Sequence, residues 1–380
     1  MYITRSLEQT ILKRLNTSEK GIVLYGARQV GKTTLVEKII ERLGYQAFKI
    51  DGDQTRYVDV ISSRNWDKIK SLVGKHKLLF IDEAQRIPEI GINLKIILDN
   101  MSDLKVIVTG SSALNLASEI AEPLTGRVWT YKLYPVSQLE LAQQSSWEEE
   151  KDKLEERLRF GTYPEMFSYE SDKDREEYVR GIADQYLYKD ILQVAGLKNA
   201  GKIHNILKLL AFQIGAQVSM NELGSSLDMS KETVGKYIEL LEKSFIIFRL
   251  GGFSRNLRKE VVKKPKFYFY DLGVRNVFAD NFNYLTNRND VGQLWENFLI
   301  VERLKSLAYT EQYASRYFWR TYTGAEVDYV EEKNGQLSGY EIKWQKDKSR
   351  NLGLWQGYYP ASKGLVVNKN NYREFLSVDL

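Results

Sequence analysis

At 380 residues the chain has room for two or three domains, and a hydrophobic share of 43% supplies the apolar surface their cores need. The absence of cysteine excludes a disulfide framework and thiolate metal sites, and the two histidines, His76 and His204, leave little for a His-based zinc site. A net charge of +5 permits nucleic-acid binding without arguing for it, no apolar run reaches membrane-span length, residues 1–5 are no signal peptide, and the composition fits a cytoplasmic protein.

Residues 5–20 place Leu7, Ile11, Leu12 and Leu15 at helical spacing and predict an amphipathic helix. Residues 21–25, Gly-Ile-Val-Leu-Tyr, read as a buried strand, and residues 35–40 return to helical spacing. Between them runs Gly26-Ala27-Arg28-Gln29-Val30-Gly31-Lys32-Thr33-Thr34, a G-x-x-x-x-G-K-[ST] loop in the strand–loop–helix setting that phosphate binding requires. The glycines let successive N–H groups converge on phosphate oxygens, and Lys32 brings a mobile charge to the β- and γ-phosphates. The Thr33 hydroxyl can ligate Mg²⁺, and the following helix turns its positive end to the same anion. ATP and Mg²⁺ are the expected ligands of all nine residues.

A second strand is expected at 46–50, and a third at 77–81 that ends in Asp82-Glu83. That strand would deliver Asp82 to the magnesium shell, with Glu83 one residue further out to orient and deprotonate water. Residues 105–110 form another apolar strand, followed by Ser111-Ser112. Thr109 and Ser111 would emerge at the ligand-binding edge of a parallel sheet, where they can meet the γ-phosphate or cap a helix beginning near Ala113. Leu124-Thr125-Gly126-Arg127 precedes an apolar strand at 128–133; Arg127 can reach a neighbouring subunit's γ-phosphate or form a surface salt bridge.

The loop at 26–33, Asp82-Glu83-Ala84-Gln85 and Leu124-Thr125-Gly126-Arg127 together resemble the core of prokaryotic AAA+ ATPases. The resemblance is to the branch that joins this core to a winged helix and a restriction-endonuclease-like, PD-(D/E)XK domain. It implies ATP hydrolysis and a homo-oligomeric ring, a hexamer among the sizes allowed, in which Arg127 acts in trans.

Residues 145–159 are rich in Glu and Lys and read as a solvated helix or domain edge, and helical spacing returns over 174–192. Over 201–265 come a helix with Ile203, Ile206, Leu207 and Leu210, a short helix at 221–227, a helix from Lys231 to Lys243 capped by Ser230, and a strand at 245–250. A return strand is expected at 268–270, which completes the winged helix-turn-helix order. Arg255, Arg258, Lys259, Lys263, Lys264 and Lys266 between those strands would form a basic wing against DNA, although many winged helices contact only protein and Glu232, Glu239 and Glu242 oppose base reading by the third helix.

The last hundred residues predict a helix at 292–302 and strands at 316–321, 326–331 and 337–344. Asp328 on one strand and Glu341-Ile342-Lys343 on the next match the nuclease arrangement, with Glu341 and Lys343 on one face. Asp328, Glu341 and the helical Glu296 would hold Mg²⁺, while Lys343 steadies the attacking water. Gln356-Gly-Tyr-Tyr359 resembles a further feature of some relatives in that superfamily. The expected protein is therefore α/β, with a parallel-sheet core at 1–140, a helical lid at 141–200, a winged helix at 201–265 and a nuclease-like domain at 266–380. DNA, branched DNA among the candidates, is the expected partner; a nucleotide-dependent signalling switch with an inert C-terminal scaffold is the rival reading.

Overall fold

The computed structural model describes residues 2–111, 122–185, 200–255, 264–346 and 348–377. The helix expected near Ala113, the end of the one expected over 174–192, and Arg258, Lys259, Glu260 and Lys263 lie outside the described residues. The chain divides into two compact units, Met1–Val136 with Lys243–Phe245, and Ser137–Glu242 with Ile246–Leu380.

The first unit is built on a parallel sheet of β1 (Gly21–Tyr25), β2 (Ala47–Asp51), β3 (Leu78–Asp82), β4 (Lys105–Gly110) and β5 (Val128–Lys132), in the order β2-β3-β4-β1-β5. Sequence explains that order. The three inner strands are nearly unbroken apolar runs, as strands covered on both faces must be, whereas β2 and β5 carry exposed residues and form the edges. Helices Leu7–Thr17 and Lys32–Leu43 bury Ile11, Leu15, Leu35, Val36 and Ile39. Since all five strands run the same way, the residues after β1, β3 and β4 emerge at one edge, where α/β sheets bind ligands.

The second unit holds a mixed six-stranded sheet, ordered β11-β10-β9-β8-β6-β7, of β6 (Ile247–Gly252), β7 (Lys266–Phe269), β8 (Ser315–Arg320), β9 (Glu326–Lys333), β10 (Gln336–Ile342) and β11 (Lys363–Val367). The hairpin β6–β7 follows helices Ala200–Phe212, Met220–Ser226 and Lys231–Lys243, and an isolated bridge joins Gln217 to Lys266. The expected boundary at 265 falls between β6 and β7. Strand β6 pairs in parallel with β8 through Gly251↔Tyr317 and Gly252↔Phe318, so the hairpin and the C-terminal strands share one sheet. Asn297, in helix Val291–Tyr309, ties that helix to the same hairpin by accepting from Phe269 N (2.8 Å) and donating to Phe269 O (2.8 Å).

Residues of the segment expected as a helical lid bond to the C-terminal half. Asn276 donates to the carbonyls of Leu158 (2.9 Å) and Arg159 (2.8 Å), Arg159 donates to Phe282 O (2.9 Å), and Phe160, Met166, Val179 and Phe282 share one apolar cluster. Buried backbone carbonyls need such partners, and here they come from far along the chain. On the opposite part of the sheet, helix Arg350–Tyr358 inserts Leu352 and Trp355 among Phe253, Trp319, Val327, Val330 and Leu337.

Candidate nucleotide site and a buried charge cluster

Strand β1 ends at Tyr25 and the helix begins at Lys32, so residues 26–31 are the loop. Gly26 is required by close approach: a Cβ there would lie 2.2 Å from Leu133 O. Gly31, the residue before the helix, has φ +89°, and Gln29 also sits in the left-handed region at φ 57°. The buried Arg5 pins the loop from outside, donating to Val30 O (2.8 Å) and Tyr134 O (2.6 Å). Lys32 is only 5% exposed and folds across its own loop, donating from Nζ to Gly26 O (3.0 Å) and Ala27 O (2.8 Å).

The acids arrive from β3. Asp82 accepts from Thr33 Oγ1 at Oδ2 (2.7 Å), and from Glu83 N (3.0 Å) and Thr109 Oγ1 at Oδ1. Glu83 leaves the strand with φ 48°, and its Oε2 accepts from Ser111 Oγ (3.0 Å) and Gln85 Nε2. The structure thus brings Lys32, Thr33, Asp82, Glu83, Thr109 and Ser111 to one sheet edge, with both hydroxyls of β4 and its end turned onto the acids. Thr33 beside Asp82 fits a magnesium ion: a hydroxyl and a carboxylate, both oxygen donors, already converge. Arg5 was missed because nothing in residue spacing marks a side chain that acts on a loop so distant in sequence.

Arg127 lies elsewhere. Its carbonyl accepts from Gly21 N (3.0 Å), at the amino ends of β1 and β5, so its own phosphate loop is a strand length away, roughly 16 Å. At the surface it forms a two-pronged pair with Asp99, Nε to Oδ1 at 2.6 Å and Nη2 to Oδ2 at 3.1 Å. The Asp99 carboxyl is held below its usual range by that bond and the Arg127 guanidinium above its own.

In the second unit, helix Val291–Tyr309 contributes Glu296, β9 contributes Glu326 and Asp328, and β10 leads from Glu341 into Lys343. Lys343 Nζ lies 2.8 Å from Glu341 Oε1 and 3.7 Å from Asp328 Oδ2. Glu296 faces a different cation: its Oε1 accepts from Lys266 Nζ (3.2 Å) and from Tyr268 OH (2.6 Å), and Lys266 also pairs with Glu326. Lys266 is therefore not a wing residue. It is 1% exposed, with its ammonium 5.3 Å from the Phe318 ring centroid, while Arg255 and Lys264 are exposed. A lysine in a basic run carries no mark in the sequence that it turns inward.

The expected metal ligands do not fit a shared ion. Among the described residues no group of three or more His, Cys, Asp or Glu side chains is placed to hold one, and Glu296 and Glu341 each pair with an ammonium. Burial, with help from Glu296 and Glu341, pushes the Asp328 carboxyl up to about 8, although Lys343 and Lys266 pull it the other way. Lys266 is held above its ordinary value, since burial opposes its charge but Glu296 and Glu326 outweigh it. Glu341 Oε2 is buried without a hydrogen-bond partner.

Three family models match parts of the chain. Residues 18–142 match a family model described as an AAA domain, and residues 151–284 and 291–378 match two domains of unknown function, DUF8612 and DUF4143. An uncharacterized protein of Mycobacterium tuberculosis is 29% identical over 346 residues, 90% of this chain and 74% of the relative. Another, of Methanocaldococcus jannaschii, is 24% identical over 373 residues, 92% of this chain and 80% of that one. Among solved structures, the Walker-type ATPase of Pyrococcus abyssi superposes with a TM-score of 0.51 at 15% identity, covering 73% of this chain and 96% of the other. The fold is α/β with a parallel-sheet P-loop ATPase core and a mixed C-terminal sheet, and the likeness to AAA domains supports a nucleotide-dependent ATPase of AAA type.

Proposed function

We propose that the chain is a Mg²⁺-dependent ATP hydrolase whose second unit binds DNA and is driven by turnover in the first. The observation that carries the hydrolase reading is the contact of Thr33 with Asp82, beside a Lys32 that donates to two carbonyls of its own loop. Lys32 would exchange Gly26 O and Ala27 O for phosphate oxygens. Thr33 and Asp82 would hold the magnesium ion, which supplies charge neutralisation between phosphates. Glu83, once released by Ser111 and Gln85, would take the proton of the attacking water. Arg127, out of reach of its own loop, would serve a neighbouring subunit in a homo-oligomer.

DNA binding rests on the order at 200–269: helix, bridge, helix, helix, hairpin, the order of a winged helix. The exposed Lys231, Lys236, Arg255 and Lys264 supply charge on those elements. Phosphate release should rise on adding duplex, forked or four-way DNA, and the affinity should fall steeply with salt. A turnover indifferent to every DNA would remove this half of the reading. It would leave the second one, a nucleotide-dependent switch with an inert C-terminal scaffold, which the lysine-paired carboxylates favour.

A further inference from the structure

Strands β6 and β8 are neighbours over a short stretch only. They pair at Gly251↔Tyr317 and Gly252↔Phe318, and ahead of those positions they part. On the β6 side Glu242 accepts from the backbone N–H of Arg249 (3.1 Å) and from its guanidinium (Nε to Oε1, 2.7 Å), so a carboxylate answers groups that a strand would otherwise meet. Between the parted strands lies a cavity of about 300 Å³, large enough for a small molecule. Phe248 and Leu250 of β6, with Ile300 and Leu304 of helix Val291–Tyr309, give it apolar walls, and Tyr329 and Arg316 line it as well.

Those last two groups have no answer in the chain. The Tyr329 hydroxyl is buried near the Glu331 carboxylate, yet at hydrogen-bonding distance from no acceptor. Burial holds that phenol well above its ordinary value, so it keeps its proton and remains a donor. Arg316 stands opposite Glu331 in the β8–β9 register, but Arg303 takes both oxygens of Glu331. Glu242 is committed to Arg249 in the same way. Among the described residues Arg316 therefore makes no ion pair, and the charges around the cavity leave a cation over.

We propose that this cavity binds a small organic monocarboxylate, its apolar body against Phe248, Leu250, Ile300 and Leu304 and its carboxylate accepting from Arg316 and Tyr329. An inorganic anion would satisfy the guanidinium and leave the walls uncovered, and a neutral apolar molecule would do the reverse. An amphipathic acid meets both demands. The inference stands apart from the ATPase and DNA readings and uses no residue assigned to either.

The probes are 4-phenylbutyrate and octanoate, titrated into the full chain without nucleotide and followed by ligand-observed NMR and melting temperature. Wild-type protein should bind at least one of them saturably, and the matching amide, which lacks the charge, should bind roughly tenfold more weakly. Arg316→Gln, at an exposed position, should weaken the acid by a similar factor. Tyr329→Phe should weaken it about threefold or more without lowering the melting temperature of the unliganded chain, because the hydroxyl bonds nothing there. A hydroxyl with a purely structural role would give the opposite pattern. Ala314→Phe, on the cavity wall, should abolish binding by filling the space. Equal affinity for acid and amide, unchanged binding in Arg316→Gln, or no saturable binding of either acid up to roughly 10 mM, weaker than ligands of that size achieve, would overturn the proposal.

Discussion

In the first unit the buried ammonium of Lys32 rests on two neutral carbonyls of its own loop, whereas in the second that of Lys266 rests on two carboxylates. The acids differ in the same sense. Asp82 and Glu83 are held by hydroxyl, amide and backbone donors, while Glu296, Glu326 and Glu341 are held by lysines. An ammonium is drawn more strongly to an anionic oxygen than to a neutral carbonyl, most of all where solvent is excluded. A phosphate can therefore capture Lys32 easily, and nothing comparable is on offer to Lys266. Similar residue types, Lys, Asp and Glu at a sheet, make a site poised for a charged ligand in one unit and a self-neutralised cluster in the other.

The largest break in that comparison is Lys32→Ala. It removes a cation placed on the phosphate loop itself, so it should lower phosphate release by roughly 10²-fold or more while the circular dichroism spectrum and melting curve stay close to wild type. Its counterpart in the second unit is Arg303→Met. Arg303 makes a buried two-pronged pair with Glu331, both bonds 2.8 Å, and also donates to Phe375 O (2.6 Å). Leaving Glu331 alone should destabilise that unit by about 3–5 kcal/mol, read by urea unfolding. A large activity loss in the first case with little unfolding, and the reverse in the second, is the pattern that separates a ligand site from structural charge.

Asp328→Asn sharpens the contrast by pH. In the native chain Asp328 keeps its proton up to about pH 8, against an ordinary value of 3.8. Between those limits the native state binds a proton that the unfolded state has released, so stability falls as pH rises through that window. Asp328→Asn cannot release the proton, so its unfolding free energy should fall less between pH 5 and pH 8 than that of wild type. Parallel pH profiles for the two proteins would place the cause outside Asp328.

Legibility in the sequence followed the range of the interactions. The strand–loop–helix around Lys32 is contiguous, and runs such as Leu78–Asp82 announce their burial by composition alone. The order of helices and hairpin at 200–269 was equally local. What could not be read depends on chain segments meeting from afar. Gly251 pairs with Tyr317 and so merges two regions that composition separates, and Lys266 reaches Glu296 and Glu326 from the middle of a basic run. Charge patterns mark a solvated stretch well on average, but all four residues of Lys266–Phe269 are buried, the lysine with them.

Arg127→Ala should have the smallest effect on the isolated chain and the most informative one on an assembly. Its pair with Asp99 is exposed, and exposed pairs contribute little, so the melting temperature should hardly move. Its position at the amino edge of the sheet leaves it no role in its own phosphate loop. If neighbouring chains complete each other's sites, turnover per chain rises with protein concentration in wild type, and Arg127→Ala loses that rise. Asp99→Asn gives the complementary measurement: by releasing the guanidinium it should keep the rise or bring it to lower concentration. A rise retained in Arg127→Ala would confine this arginine to its bond with Asp99, and the first unit would then hydrolyse nucleotide without help from a second copy.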